Sequence, residues 1–191
     1  AAGKSPKAPK GYETSSLWKV TARDRVVGAL DLVKLARQVE PFATFEMFDP
    51  DGNQKTVQAP PIALGNAARD GMKTKDPFLA QRFAFQALRV AFYQREWNAV
   101  VAFHDRNTAA LAGPSQDLAW RARHYLAGAL GRRGTKGRAN LELARIGANY
   151  KPLSGLAVLE FKPSEDADFK ESRRLAKTIR EAGDTFGGYF A

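Results

Sequence analysis

The chain has 191 residues and a mass of 21.0 kDa, with 44% hydrophobic and 26% charged residues, enough for one domain, or at most two small ones, around an apolar core. Thirty Lys and Arg against 20 Asp and Glu give a formal charge of +10, a field that favours anionic surfaces and acidic partners. The absence of cysteine excludes disulfides, Cys-ligated zinc, iron–sulfur clusters and thiol nucleophiles, and no run approaches the roughly 18 consecutive apolar residues of a membrane-spanning helix.

Residues 1–13 (AAGKSPKAPKGYE) combine three Lys with two Pro and two Gly and carry no periodic apolar face, which predicts a flexible basic arm ahead of a single domain over 14–191. A chain opening on Ala reads as a processed product or an excised segment. Together with the missing cysteines this leads us to expect a periplasmic or envelope-associated protein, with the cytoplasm as the alternative.

From Thr21 to Val39 the residues Val26, Ala29, Leu30, Val33 and Ala36 recur at helical spacing, with Arg23, Lys34 and Arg37 off that face. The pattern predicts an amphipathic helix that buries this stripe and stops before Pro41. Phe45, Met47 and Phe48 then lead into Asp49-Pro50-Asp51-Gly52-Asn53 and Thr56-Val57, so residues 42–58 read as a short β-hairpin or an extended loop. Asp49, Asp51 and Asn53 alternate as calcium ligands do, but Gly52 falls too early and Pro60 stands at the twelfth position, so the segment reads as a plain turn.

Asp76-Pro77 predicts a helix start, because Asp accepts from first-turn amides and Pro loses no hydrogen bond there. Phe78, Phe85, Leu88 and Phe92 form its stripe, widened by Phe83, Ala84, Ala87 and Ala91. A second helix from about Glu96 aligns Trp97, Val100, Val101 and His104 and closes at Gly113-Pro114. The third spans about Gln116 to Leu130 with Leu118, Trp120, Tyr125 and Leu126; Gly131 to Gly134 makes the turn, and a fourth carries Leu141, Leu143, Ala144 and Ile146. Leu153 to Phe161 is an apolar segment that periodicity assigns equally to helix or buried strand. A last helix begins at Pro163-Ser164, carries Phe169, Leu175, Ala176 and Ile179, and ends at Gly183.

Short turns between helices of this length predict antiparallel neighbours stacked in order, an all-α architecture. Within it, Leu126 to Ile146 (LAGALGRRGTKGRANLELARI) resembles a tetratricopeptide unit: Leu126, Ala127 and Leu130 match its first helix, Gly134 its turn, and Ala139 and Leu143 its second helix. The upstream AFQALRVAFYQREWNAVVAF keeps the rhythm, with Arg95-Glu96-Trp97 at the turn, but has Val100 and His104 where Ala and an aromatic are usual. The resemblance covers about residues 77–150. A further similarity, of LAWRARHYLAGAL with Tyr150 beyond it, is to the superhelical, noncatalytic scaffold of soluble lytic transglycosylases. Both resemblances imply a curved helical surface for a protein partner and transfer no catalytic residue, no cofactor and no metal.

Between Arg121 and Lys151 stand eight basic residues and one acid, Glu142, so this segment carries most of the net charge. Arg121, Arg132, Arg133, Lys136 and Arg138 are the candidate partner-binding residues, an electrostatic patch for an acidic protein segment or anionic polymer. Nonspecific nucleic-acid binding by the same cluster over 121–151 is the alternative, and it would be phosphate-driven and salt-sensitive. His104 and His124 are the only histidines; without a nucleophile elbow or metal-ligand spacing they read as packing or surface residues rather than catalytic ones. Glu165, Asp166, Asp168 and Glu171 follow Ser164 and read as acids that complement the start of the last helix. The expected function is a non-enzymatic protein–protein interaction scaffold or adaptor in a bacterial envelope assembly.

Overall fold

Asp76 and Pro77 open the central helix as expected: the Asp76 carboxylate accepts the Phe78 amide at 2.9 Å and Pro77 takes the first helical position. The computed structural model describes residues 23–43 and 58–161, without the side chains of residues 23–25. These residues form eight α-helices: α1 (Arg23–Val39), α2 (Ile62–Gly71), α3 (Pro77–Tyr93), α4 (Trp97–Arg106), α5 (Thr108–Leu111), α6 (Gln116–Arg132), α7 (Lys136–Asn149) and α8 (Lys151–Glu160). A 3-10 turn over Glu40–Phe42 follows α1, and there is no strand among the described residues. The architecture is all-α. The expected basic arm, the hairpin or loop with its acids at 49–53, and the helix after Pro163 lie outside the described residues.

α3 packs against α1, α2, α4, α5 and α6, and it is correspondingly apolar around most of its circumference. Leu79, Phe83, Ala87 and Val90 join Leu35, Val39 and Ala68 in one core cluster, while Ala84, Phe85, Leu88 and Ala91 join Val100, Leu126, Ala129 and Leu130 in a second. The buried Gln81 pins the chain between α5 and α6 onto α3. Its amide nitrogen donates to the carbonyls of Leu111 (2.9 Å) and Ser115 (2.7 Å), and its oxygen accepts the Ser115 amide at 2.8 Å, so none of its polar atoms goes unpaired. A third cluster, Ala127, Leu143, Ile146 and Ala157, joins α6, α7 and α8, and Trp120 stacks on Tyr150 with centroids 6.2 Å apart.

Three of the helix bounds of two successive helical hairpins are offset by a constant number of residues. Pro77 to Gln116, Tyr93 to Arg132 and Trp97 to Lys136 are each a step of 39 residues. The bonds that close the two turns correspond. Arg95 N–H reaches Phe92 O and Glu96 N–H reaches Ala91 O in the first; Gly134 N–H reaches Gly131 O and Thr135 N–H reaches Leu130 O in the second. Both close through a left-handed residue, Arg95 at φ 60° and Gly134 at φ 81°, the conformation with which a helix end satisfies its last carbonyls. Burial repeats too: Phe83 and Ala122, Val90 and Ala129, Ala91 and Leu130, and His104 and Leu143 are all buried.

The structure corrects the buried face expected of α1 and the single helix expected from Glu96, adds a helix the pattern did not announce, and decides the alternative left open at Leu153 to Phe161. In α1, Val26, Leu30 and Val33 are 42%, 57% and 53% exposed, while Leu35 and Val39 are buried. The helix has two apolar faces, and the one bearing Gly28 goes inward: a Cβ there would stand 3.0 Å from Leu79 Cδ1, so the smallest residue sets the approach to α3. α2 has no counterpart in the periodicity reading, since it buries only Gly65 and Ala68, a face too small to register as apolar. Gly71, at its end, lies against the Phe83 ring, where a Cβ would fall within 2.3 Å. The helix from Glu96 breaks at Asn107, whose side-chain amide donates to Phe103 O at 2.8 Å. Leu153 to Phe161 is helical up to Glu160 rather than a strand, with Pro152 in the first turn of α8. None of the helices among the described residues is long and apolar enough to cross a membrane.

Candidate interaction site

Tertiary pairing sorts the cations of the basic segment into two groups. Arg121 Nε donates to Asp117 Oδ2 at 2.9 Å, and Asp117 also accepts the Tyr150 hydroxyl, a bond that holds its carboxyl below the ordinary range. Arg123 from α6 and Arg145 from α7 converge on the two oxygens of Glu142, at 2.8 and 2.9 Å. Glu142 is only 5% exposed, so this single carboxylate satisfies two guanidinium groups and is itself paired on both oxygens. Arg138 grips Asp105 with both terminal nitrogens, at 2.6 and 3.2 Å. These hydrogen bonds lower the Asp105 pKa and raise that of Arg138.

Arg132, Arg133 and Lys136 belong to the second group. All three are exposed, and none of them is in an ion pair with a described carboxylate. They sit where the α6–α7 turn lies beside the α3–α4 turn. The Arg132 guanidinium lies 5.3 Å from the Phe92 ring centroid and 5.1 Å from that of Trp97, with Phe92 and Trp97 edge-to-face at 5.2 Å. Arg133 and Arg95 line an open cleft of about 660 Å³ together with Glu96, Trp97, Asn98 and Ala99. α7 has no acid in its first turn, so the partial positive charge of its start adds to the side-chain cations, whereas α4 starts behind Glu96 at its N-cap. Lys136, the first residue of α7, opposes its own helix dipole, an arrangement that costs about 0.3–1 kcal/mol.

Of the five candidate residues, the fold therefore gathers Arg132, Arg133 and Lys136 and adds Arg95, which sequence reasoning placed only at a turn. Arg121 stands eleven positions earlier on α6, about 16 Å along its axis, and is held by Asp117. Arg138 is held by Asp105. The missed residue with the largest structural consequence is Glu142. Its signal was present in the sequence, as the lone acid of a basic segment with Arg145 three positions on.

The histidines occupy separate environments. His104 is 7% exposed, its Nδ1 has no hydrogen-bond partner and stands 3.7 Å from Asp105 Oδ1. Burial lowers its pKa, against the opposing charge of Glu142. His124 Nε2 lies 2.9 Å from Glu160 Oε2, joining α6 to the end of α8. No group of His, Asp or Glu among the described residues is arranged to hold a metal ion. Comparison with protein-family models, curated proteins and solved structures gives no match for the chain.

Proposed function

We propose that this chain is a non-enzymatic interaction module whose stacked helical hairpins present a basic, turn-lined end to an acidic segment of a partner protein or to an anionic polymer. The observation that carries the reading is the division of the cations. Four arginines of the segment are held by carboxylates, whereas Arg132, Arg133 and Lys136 stay exposed at the α6–α7 turn, with Arg132 over Trp97, Arg133 lining the cleft and the start of α7 beside them. The constant step between hairpins, with α6 packed on both α3 and α4, favours a helical repeat of the tetratricopeptide kind as the scaffold. The envelope address belongs to the same proposal and is tested by cell fractionation.

Fluorescence anisotropy with a short oligoglutamate peptide, duplex DNA and single-stranded DNA, each titrated across a salt series, tests the function. Saturable binding of the acidic peptide that weakens with salt supports the proposal. Failure of the peptide to bind, with steeply salt-dependent binding of either DNA, assigns the surface to nucleic acid instead.

A further inference from the structure

The outward face of α1 pairs exposed aliphatic side chains with exposed cations. Val26, Val27, Leu30 and Val33 are exposed and join no core cluster, although Ala29, Leu32, Leu35 and Val39 of the same helix do. Val26, Leu30, Val33 and Arg37 follow one another at steps of four, three and four, so they form a single row along the helix, about 16 Å long. Val27 and Lys34, seven positions apart, edge that row on one side. Arg37 is exposed and in no ion pair with a described carboxylate. Lys34 meets only Asp31, at 4.0 Å and in solvent, a pairing of little worth. Over its length α1 holds Arg23, Arg25, Lys34 and Arg37 against Asp24 and Asp31.

Area and charge select the occupant of this face. The exposed parts of the four aliphatic side chains amount to about 300 Å², whereas a stable protein–protein interface takes about 800 Å² from each partner. A second copy would in addition set Lys34 and Arg37 against a helix of the same net charge. An anionic bilayer needs neither a large area nor a matching shape. A helix lying in its surface sinks the apolar face at the boundary of headgroups and acyl chains, while Lys and Arg extend their charged ends to the lipid phosphates. The net charge of +10 draws the chain to such a surface. We propose that α1 is an interfacial membrane-binding helix, with Val26, Leu30 and Val33 entering an anionic bilayer and Lys34 and Arg37 on its phosphates. Leu35 and Val39 stay in the core on the opposite side, so α1 binds without leaving the fold. This surface is separate from the docking role proposed above and does not depend on it.

The test is flotation of the full chain with vesicles of phosphatidylcholine alone and of phosphatidylcholine with an equal part of phosphatidylglycerol. The chain should bind the mixed vesicles and bind the neutral ones at least tenfold more weakly. Leu30→Gln with Val33→Gln, which adds no charge and alters only exposed positions, should weaken binding to the mixed vesicles at least tenfold at an unchanged melting temperature. Arg37→Gln alone should cost about fivefold, and Arg133→Gln with Lys136→Gln should stay within threefold of the parent. Because the chain has no cysteine, Leu30→Cys carries an environment-sensitive fluorophore at that position alone, and its emission should shift to the blue on the mixed vesicles. No binding to the mixed vesicles, or binding without that shift, overturns the proposal. Binding lost through Arg133→Gln with Lys136→Gln but kept by Leu30→Gln with Val33→Gln also overturns it and gives the lipid phosphates to the basic turn. A chain that is dimeric by light scattering, monomeric once Leu30→Gln and Val33→Gln are introduced, and silent toward vesicles assigns the face to a second copy instead.

Discussion

Arg138 on α7 holds Asp105 on α4 through two charge-assisted bonds, tying together two helices that both pack on α6. The pair is part-exposed, so solvent screening limits its worth to roughly 0.5–1 kcal/mol. Arg138→Ala should lower the melting temperature slightly and leave binding of an acidic probe within twofold of the parent. A loss of binding comparable to that of Arg133→Glu would place Arg138 in the docking surface after all.

The two matched turns give opposite substitutions opposite signs. Arg95 carries a left-handed backbone that costs an L-residue about 1 kcal/mol, so Arg95→Gly should stabilise the chain by up to about that amount. Gly134→Ala should destabilise it comparably, since no neighbouring atom lies within 4 Å of the added Cβ to account for a clash. Chemical denaturation of both variants checks the pair.

Glu142 is the structural acid of the basic segment. Glu142→Ala leaves Arg123 and Arg145 without the carboxylate they share, and the loss should reach about 2–3 kcal/mol, below the value for a fully buried pair because both arginines retain some solvent. Thermal unfolding should show a larger drop for this variant than for Arg138→Ala.

Acid should weaken the fold in two stages. His104 has a folded pKa below 6.5, so between those values the unfolded chain binds the extra proton and stability is lost as pH falls. Asp105 has a folded pKa below 3.8; its contribution is present above that range and lost below it. His104→Leu, which copies Leu143 from the equivalent position of the next hairpin, should flatten the first stage and keep the larger part of the second, since the Arg138 bonds are the main cause of the lowered Asp105 pKa and His104 a lesser one. Denaturation midpoints from pH 7.5 down to pH 3 test this, and an unchanged first stage would contradict it.

Local signals announced most of the helices. Asp76-Pro77, the glycine turn at Gly134 and, of the expected stripe, Phe85, Leu88 and Phe92 are each decided within one or two turns of chain and appear where expected, whereas Phe78, the first residue of that stripe, is 42% exposed. The failures lie where tertiary contact outweighs local pattern. α1 has two apolar faces of similar strength, and Gly28 selects between them only because Leu79 is there to be approached. α2 is held through Gly65 and Ala68, residues with little apolar signal of their own. At the site, a count of cations could not tell Arg138 from Arg133, because Asp105 lies 33 residues from Arg138 in sequence and only the packing on α6 unites them.

Charge reversal of Arg133 and Lys136 is the most direct trial of the interaction reading, since neither side chain holds a described carboxylate and Glu in place of Lys136 suits the start of α7. The double variant Arg133→Glu, Lys136→Glu should lose at least tenfold in affinity for the oligoglutamate probe at low salt while its melting temperature stays level or rises. Affinity that survives the reversal would contradict the account, as would a fall in melting temperature large enough to explain the lost binding.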